Sequence, residues 1–260
     1  MGPPVRVVQL TDTHLFADPQ QTLLGCNTRA TLKAVVAAVV DYAPDLVLLT
    51  GDLSQDGSPA SYRQLVAALR PLDCPLYWLA GNHDARDTLA AVVTGDRWRP
   101  EKRFTWGGWY FVLLDSTVPG EVGGYLQGAE MAELARELAQ QTAPTLIALH
   151  HPLFPVGSPW LDGSRVANPE VFWSVVDAHP QVRVVICGHV HQEQTWQRRG
   201  VTYYSTPSTC LQFAPGAATF TVDSALPGFR WLELWPDGQC RSGVVRVPCP
   251  VTVEQGAGGY

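Results

Sequence analysis

The sequence predicts an α/β fold in which parallel strands alternate with helices and antiparallel strands follow. Apolar runs of strand length recur along the 260 residues, and several are continuously apolar, as strands buried on both faces are. Segments with helical periodicity separate the early runs, which favours parallel strand–helix–strand units. Turn signals at Pro227-Gly228 and Asp237-Gly238 separate the later runs, which favours antiparallel additions at the end of the chain.

The elements follow from these patterns in chain order. Strands are predicted over 5–10, 46–50, 76–80, 110–115, 145–149, 182–187, 201–205, 218–222 and 229–234. The runs 201–205, 218–222 and 229–234 are the ones expected to pair antiparallel. Helices are predicted over 28–42, 59–69, 85–93, 128–141 and 169–178. Ser58-Pro59 and Asn168-Pro169 have the form of an N-cap followed by proline in the first helical turn.

Composition restricts the domain organisation and the class of partner. No internal repeat or Gly/Ser-rich linker divides the chain, so we predict one domain over 1–247 and a loosely ordered tail over 248–260. The net charge of −6 argues against nucleic acid as the main ligand, because surfaces that follow phosphate backbones are normally basic.

Three further observations predict a cytoplasmic protein that does not bind membranes. The six cysteines form no Cys-x-x-Cys pair, which suits a reducing compartment. No stretch approaches the roughly 20 apolar residues of a membrane span. A cleavable signal peptide would have to remove the first polar motif of the chain, so none is expected.

Five short polar motifs hold six of the seven histidines. Each follows the end of a predicted strand: Asp12-Thr13-His14, Gly51-Asp52, Gly81-Asn82-His83-Asp84, His150-His151-Pro152 and Gly188-His189-Val190-His191. In open α/β sheets, ligands bind in the crevice at the carboxyl ends of the strands, so these distant segments are expected to converge. Their donors are carboxylate, imidazole and amide groups in a number sufficient for two divalent metal ions.

The residue types of these motifs suit phosphodiester hydrolysis. Asp52 can bridge two cations, either with one oxygen on each or with a single shared oxygen. Two metals roughly 3.5–4 Å apart generate a hydroxide nucleophile and clamp a phosphoryl group. His83 is the natural general acid for the leaving oxygen, and Asp84 is a candidate to orient it.

The five motifs, in this order, resemble the calcineurin-like metallophosphoesterase superfamily. Within it the chain resembles bacterial class III 3′,5′-cyclic-AMP phosphodiesterases, a likeness that rests on the stretches 11–16, 22–25, 51–56, 160–162, 188–192 and 207–213. The resemblance implies a four-layer αββα sandwich of two mixed sheets flanked by helices. It also implies hydrolysis of 3′,5′-cyclic AMP to 5′-AMP by a metal-bound hydroxide, with His83 as general acid.

The resemblance also implies the ligand sets. One metal ion, at what we call site 1, would be held by Asp12, His14, Asp52 and His191. The second ion, at site 2, would be held by Asp52, Asn82, His150 and His189. The substrate phosphate would lie against both ions, near His14, Asp52, Asn82, His83 and His191. Iron, manganese and zinc, divalent or mixed-valence, are all compatible with these donors.

Several alternatives stay open at the level of sequence. His150 is preferred to His151 as the ligand because it comes first after the strand, and His151 and His179 are assigned to packing or surface. Trp160 and Phe213 are either adenine contacts or core residues. A broad glycerophosphodiesterase or 2′,3′-cyclic-nucleotide phosphodiesterase would share every ligand, and a non-catalytic scaffold would keep the fold alone. The oligomeric state is left open.

Overall fold

Two six-stranded mixed sheets form the centre of the computed structural model, which describes residues 2–249 and 251. The strands are β1 (Val5–Leu10), β2 (Leu46–Thr50), β3 (Leu76–Leu79), β4 (Trp98–Arg99), β5 (Arg103–Trp106), β6 (Trp109–Leu113), β7 (Thr145–Ala148), β8 (Val182–Cys187), β9 (Gln194–Arg198), β10 (Val201–Ser205), β11 (Gln212–Phe213), β12 (Val222–Asp223), β13 (Gly228–Leu234) and β14 (Cys240–Arg246). The helices are α1 (Thr28–Tyr42), α2 (Pro59–Ala68), α3 (Arg86–Val92), α4 (Gly128–Gln140), α5 (Pro159–Asp162) and α6 (Pro169–Val176).

The strand order brings the polar motifs to common sheet edges. The first sheet has the order β14-β13-β1-β2-β3-β4, and the pairs from β1 to β4 are parallel. The second sheet has the order β5-β6-β7-β8-β10-β9, and the pairs from β6 to β10 are parallel. Parallel neighbours have their carboxyl ends on the same edge, so the motifs after β1, β2 and β3 lie together, as do those after β7 and β8.

The layers confirm the predicted αββα sandwich. One core packs α1 and α2 against the first sheet, with Leu32 and Val36 against Val47 and Leu49 in the same cluster. A second core packs α4 and α6 against the second sheet. A third core contains residues from both sheets and is the layer where their inner faces meet. Because β2 and β7 are buried along their whole length, their sequences are apolar except for one threonine each and do not alternate.

The core strands and five of the helices were predicted to within two residues, whereas the edge strands were not. The antiparallel pairing predicted for β10 is wrong on one side, since β10 pairs parallel with β8 and antiparallel with β9. Only Val222 of the run 218–222 lies in a strand. The strands β5, β9 and β14 were missed because they are partly exposed and carry polar residues that interrupt an apolar run.

The two predicted helix caps behave differently. The Ser58 side chain accepts a hydrogen bond from the Ser61 backbone N–H and caps α2, as predicted. Asn168 stands at the N-cap position of α6 but makes no side-chain cap hydrogen bond. Its amide instead pairs with both backbone groups of Leu126, at 3.0 and 2.9 Å, so tertiary contacts replace the cap.

A buried glutamine joins the two sheets beneath the polar motifs. Gln9 of β1 donates to the Thr50 hydroxyl of β2 at 2.8 Å and to the Cys187 carbonyl of β8 at 3.0 Å. Its carbonyl oxygen accepts from Thr206 Oγ1 at 2.5 Å. A satisfied polar group in a dry interior fixes geometry strongly, because breaking any of these bonds strands a buried donor or acceptor. The contacts hold the ends of β1, β2 and β8 in one register.

Two predictions concern the organisation of the chain. The single domain predicted over 1–247 stays a prediction, and most of the tail predicted over 248–260 lies outside the described residues. Within the described part, no helix has the length and apolar character needed to cross a bilayer.

Candidate metal centre

The structure brings all seven predicted metal ligands to one rim, where the strand ends of the two sheets meet. Each follows its strand by two or more residues, in the loops after β1, β2, β3, β7 and β8. Six of the seven are buried, with side chains less than 5% exposed, and Asn82 is half-buried: the buried set is Asp12, His14, Asp52, His150, His189 and His191. Buried charged and imidazole groups in this density need a compensating partner.

The backbone at these ligands is strained. Among the described residues, eight non-glycine positions have positive φ, and five of them are predicted ligands: Asp12 (54°), His14 (43°), Asp52 (50°), His189 (68°) and His191 (49°). The left-handed region costs an L-residue about 1 kcal/mol or more and persists only where the surroundings impose it. The loops therefore follow a conformation that aims side chains at one point, at a cost in local stability.

Site 1 gathers donor atoms from three loops. His14 Nε2 lies 3.2 Å from His191 Nε2, 4.0 Å from Asp12 Oδ1 and 3.9 Å from Asp52 Oδ2. His191 Nε2 lies 3.4 Å from Asp12 Oδ1. The Asp12 carboxylate also accepts from the His189 backbone N–H at 3.1 Å, which ties the loop after β1 to the loop after β8.

Site 2 shares one carboxylate oxygen with site 1. Asp52 Oδ2, which faces His14, lies 3.2 Å from His150 Nε2, and His150 Nε2 lies 3.2 Å from Asn82 Oδ1. The other oxygen, Asp52 Oδ1, accepts from the His83 backbone N–H at 2.9 Å. Asp52 therefore faces the ligands of both sites and would be the residue shared by two bound ions.

Hydrogen bonds on the far side of each ring orient the histidines. His14 Nδ1 lies 2.6 Å from Gln55 Oε1, His150 Nδ1 lies 2.8 Å from the Thr50 carbonyl, and His191 Nδ1 lies 2.8 Å from the Leu211 carbonyl. A carbonyl can only accept, so each Nδ1 donates and each Nε2 is directed to the centre. His189 is turned round, with Nε2 2.8 Å from Ser164 Oγ and Nδ1 inward. Metal-bound histidines are held in this way by partners behind the ring.

The donor set fits two metal ions on three grounds. His189 Nδ1 is buried and has no hydrogen-bond partner among the described residues. The His14 and His191 rings, whose Nδ1 atoms face carbonyl oxygens, bring their Nε2 atoms to 3.2 Å from each other, an arrangement that a bound cation would stabilise. Ligand atoms about 2.1 Å from one ion stand about 3.0–4.2 Å apart, and every separation given above for sites 1 and 2 falls in that window.

The charged groups inside the rim are two ionised carboxylates and one histidine paired with them. Burial lowers the pKa of His14 to about 3 and that of His189 well below its usual range, so both rings are neutral at pH 7. Burial opposes ionisation of Asp52, yet His150 outweighs it and holds the Asp52 pKa well below its usual value. In the same way, burial lowers the His150 pKa but Asp52 raises it to about 9. Asp12 also stays ionised, because His191 and His150 outweigh burial and lower its pKa.

His151 and His179 take the packing roles predicted for them. His151 Nδ1 lies 2.8 Å from Ser116 Oγ, and Nε2 lies 3.0 Å from the Val122 carbonyl, so both ring nitrogens have hydrogen bonds of their own. The ring lies beside His189 with centroids 4.7 Å apart and forms the wall behind site 2. His179 is remote from the rim and bonds the Val175 carbonyl just past α6.

His83 borders both sites, and the hydrogen bonds of Asp84 go to other groups. The half-buried His83 ring packs edge-on against His14 with centroids 5.1 Å apart. Asp84 points away from it and accepts from the backbone N–H groups of Leu53, Ser54 and Gly81 and from the Tyr62 hydroxyl, all within 3.2 Å. Asp84 therefore ties the loop that carries Asp52 to the loop that carries Asn82.

Phe213 is not available to a nucleotide base. It is fully buried and stacks on the His191 ring, with centroids 4.3 Å apart and an interplanar angle of 12°. Trp160 packs edge-on against Phe213 at 5.0 Å. The adenine contact considered for Phe213 is thus replaced by a contact with a predicted metal ligand.

Sequence reasoning missed two residues that orient the histidines. Gln55 lay inside a family-like stretch and could have been noticed there, but Ser164 carries no sequence signal because it is 25 residues from His189. Gly51, next to Asp52, stands where a side chain would not fit. Its φ is 95°, and a Cβ there would stand 2.5 Å from His150 Nδ1.

The chain matches known proteins over nearly its whole length. Residues 5–193 match the family model described as calcineurin-like phosphoesterase. A 3′,5′-cyclic-nucleotide phosphodiesterase of Nostoc sp. is 41% identical over 96% of this chain and 96% of its own length. A 3′,5′-cyclic adenosine monophosphate phosphodiesterase of Pseudomonas aeruginosa is 41% identical over 98% and 95%, and one of Escherichia coli K12 is 39% identical over 94% and 90%.

Solved structures show the same fold at low identity. A dimetal phosphatase from Danio rerio superposes with a TM-score of 0.63 at 15% identity, over 95% of this chain and all of that one. A purple acid phosphatase from yellow lupin gives 0.66 at 19% identity, over 95% of this chain and 54% of that one. With the family model covering most of the chain and relatives near 40% identical, the chain belongs to the calcineurin-like phosphoesterase family.

Proposed function

We propose that the chain is a phosphodiesterase that hydrolyses 3′,5′-cyclic AMP to 5′-AMP with two metal ions at sites 1 and 2. The observation that carries the proposal is the 39–41% identity, over more than nine-tenths of the chain, with relatives named for cyclic-nucleotide hydrolysis. At this identity and coverage, the polar rim is expected to serve the same reaction class.

Our proposal assigns the seven ligands as the resemblance implied. Site 1 would use Asp12, His14, Asp52 and His191, and site 2 would use Asp52, Asn82, His150 and His189. Two ions of iron, manganese or zinc held there would supply an activated water and positive charge against the phosphoryl oxygens. The neutral His14 and His189 rings support this assignment, since imidazole binds metals in its deprotonated form.

The residues of the chain supply orientation and a proton. Attack of water on phosphorus forms one P–O bond and breaks the bond to the ribose 3′ oxygen, which needs a proton as it leaves. His83, beside both sites and half-exposed, is the donor we assign to that step. Its backbone N–H holds Asp52 Oδ1, so the proton donor and the bridging carboxylate keep a fixed spacing. His14, Asp52, Asn82 and His191 would line the phosphate position.

An open groove next to Asn82 suits a small diffusible substrate. Its volume is about 480 Å³, and its walls come from the 81–88 and 117–120 segments. Besides Asn82, its polar lining consists of two hydroxyls, two carboxylates and one guanidinium that is paired with Asp115: Thr88, Thr117, Asp84, Asp87 and Arg86. Such a volume is in the range of small-ligand pockets, and the acidic chain as a whole disfavours a polyanion.

A panel of diesters tests the proposal. The metal-reconstituted protein is assayed with 3′,5′-cyclic AMP, 2′,3′-cyclic AMP and glycerophosphoethanolamine, and kcat/KM is compared. We expect 3′,5′-cyclic AMP to be preferred. A preference of more than about tenfold for either rival corresponds to about 1.4 kcal/mol in transition-state binding. That result would overturn the assignment of 3′,5′-cyclic AMP as the substrate but would leave the assignment as a phosphodiesterase. No turnover of any diester with two metals bound would identify a scaffold.

A further inference from the structure

A buried segment outside the five motifs packs against site 1. Residues 208–213, which we call the 208–213 segment, leave β10 by way of Thr206 and end in β11, and every one of them is at most 1% exposed. The Gln212 side chain closes the segment on itself by accepting from the Ser208 N–H and donating to the Ser208 carbonyl. The segment is therefore a rigid unit.

Its contacts reach two predicted ligands of site 1. Ser208 Oγ donates to the Asp12 carbonyl at 2.7 Å, and the Cys210 thiol lies 3.5 Å from the same carbonyl. The Leu211 carbonyl accepts from His191 Nδ1, and the Phe213 ring lies nearly parallel to the His191 ring at 4.3 Å. Asp12 and His191 both have positive φ, so their backbones need external support to keep that conformation.

Each of these contacts restrains a different part of Asp12 or His191. The Leu211 carbonyl fixes the proton of His191 on Nδ1, which directs the Nε2 lone pair to the centre. The Phe213 face blocks rotation of the same ring about its Cβ–Cγ bond. The Ser208 hydroxyl fixes the peptide of Asp12, from which the carboxylate starts. Such outer partners commonly change metal affinity by about 10–100-fold.

We propose that the 208–213 segment sets the metal affinity of site 1 selectively, with Phe213 and Ser208 as positioning residues. Site 2 has its own partner in Ser164 behind His189. The affinities of the two sites can then be changed independently. This inference rests on the proposed function, since it requires that the chain hold two ions.

The test is a metal titration of Phe213→Leu in the full-length chain, freed of metal and titrated with Mn²⁺ by calorimetry. One of two binding events should weaken by about 10–100-fold while the other keeps its affinity. Anomalous diffraction from crystals grown at limiting Mn²⁺ should then show the ion lost between Asp12, His14 and His191. Ser164→Ala should produce the opposite pattern, with the ion near His189 weakened.

Two further variants serve as a control and as a second test of the same segment. Phe172→Leu makes the same change at an equally buried ring in the core behind the second sheet, so it controls for general loosening and should leave both affinities unchanged. Ser208→Ala is a smaller change that tests the same segment if Phe213→Leu does not fold. The inference would be overturned if Phe213→Leu or Ser208→Ala bound both ions as tightly as the unsubstituted chain. It would also be overturned if either variant weakened both sites equally. Failure of the unsubstituted chain to bind two ions would instead refute the proposed function.

Discussion

The proposed sites 1 and 2 share Asp52 but differ in the groups that pack behind their other predicted ligands. The ligands of site 1 are all at most 1% exposed, two of them carry a negative charge, and a rigid segment packs against Asp12 and His191. Site 2 has the neutral, half-buried Asn82 as a predicted ligand and borders the groove of about 480 Å³. We therefore expect one half of the proposed centre to retain its ion and the other to exchange its ion more easily.

The largest effect should come from substitution of Asp52, because this residue belongs to both proposed sites. Asp52→Ala removes the shared oxygen and leaves the His150 ring without the carboxylate that raises its pKa to about 9. We expect loss of both ions and activity at background level, measured by elemental analysis and diesterase assay. Asn82→Ala is the matched variant and should lose mainly the ion of site 2. Two tightly held ions in Asp52→Ala would show that the ligand assignment is wrong.

His83→Ala should slow 3′,5′-cyclic AMP hydrolysis by ~10²–10⁴-fold, because a ribose oxygen needs a proton as it leaves. A nitrophenyl leaving group needs it far less, so the nitrophenyl diester should lose much less rate. Metal content is the control and should stay at two ions, since His83 is in neither ligand set. Equal losses on both substrates would indicate that His83 binds substrate rather than donates a proton.

Substitution of Asp84 tests how much the hydrogen bonds between the Asp52 loop and the Asn82 loop stabilise the fold. Asp84→Ala leaves backbone donors of Leu53, Ser54 and Gly81 without their acceptor, at about 1–3 kcal/mol for each one that stays buried and unpaired. The free energy of unfolding should fall by a few kcal/mol in urea titrations of the metal-free protein. Tyr62→Phe loses one bond of the same set and should fall by less. No change in either variant would contradict the tie.

The smallest expected effect is a difference in the rates at which a chelator removes the two ions. Graded chelation should remove the ion of site 2 at least about tenfold faster than that of site 1, a difference of about 1.4 kcal/mol in barrier. The reason is that Asn82 contributes no charge and faces the groove, whereas Asp12, His14 and His191 are enclosed. Anomalous diffraction at intermediate chelator identifies which ion remains. Simultaneous loss would mean that the two sites do not differ in access.

The sequence predicted the core of the fold well and placed the polar motifs at strand ends, for a physical reason. The strands β1, β2 and β8 are apolar except for one or two positions in each, because most of their residues are buried, and such runs have clear ends. The polar motifs stand at those ends, so locating the strands also located Asp12, Asp52 and His189. The edge strand β9 has no such run because its faces are partly exposed, and it was missed.

What the sequence by itself determined is therefore the type of donor and its place at a strand end, since both depend on residues that are adjacent in the chain. What only the tertiary structure decided is which partner each side chain meets. The Ser208 hydroxyl reaches an Asp12 carbonyl 196 positions away, and Asp84 faces Leu53 rather than its neighbour His83. Contacts of this separation depend on how the two sheets pack, and local periodicity carries no record of that packing.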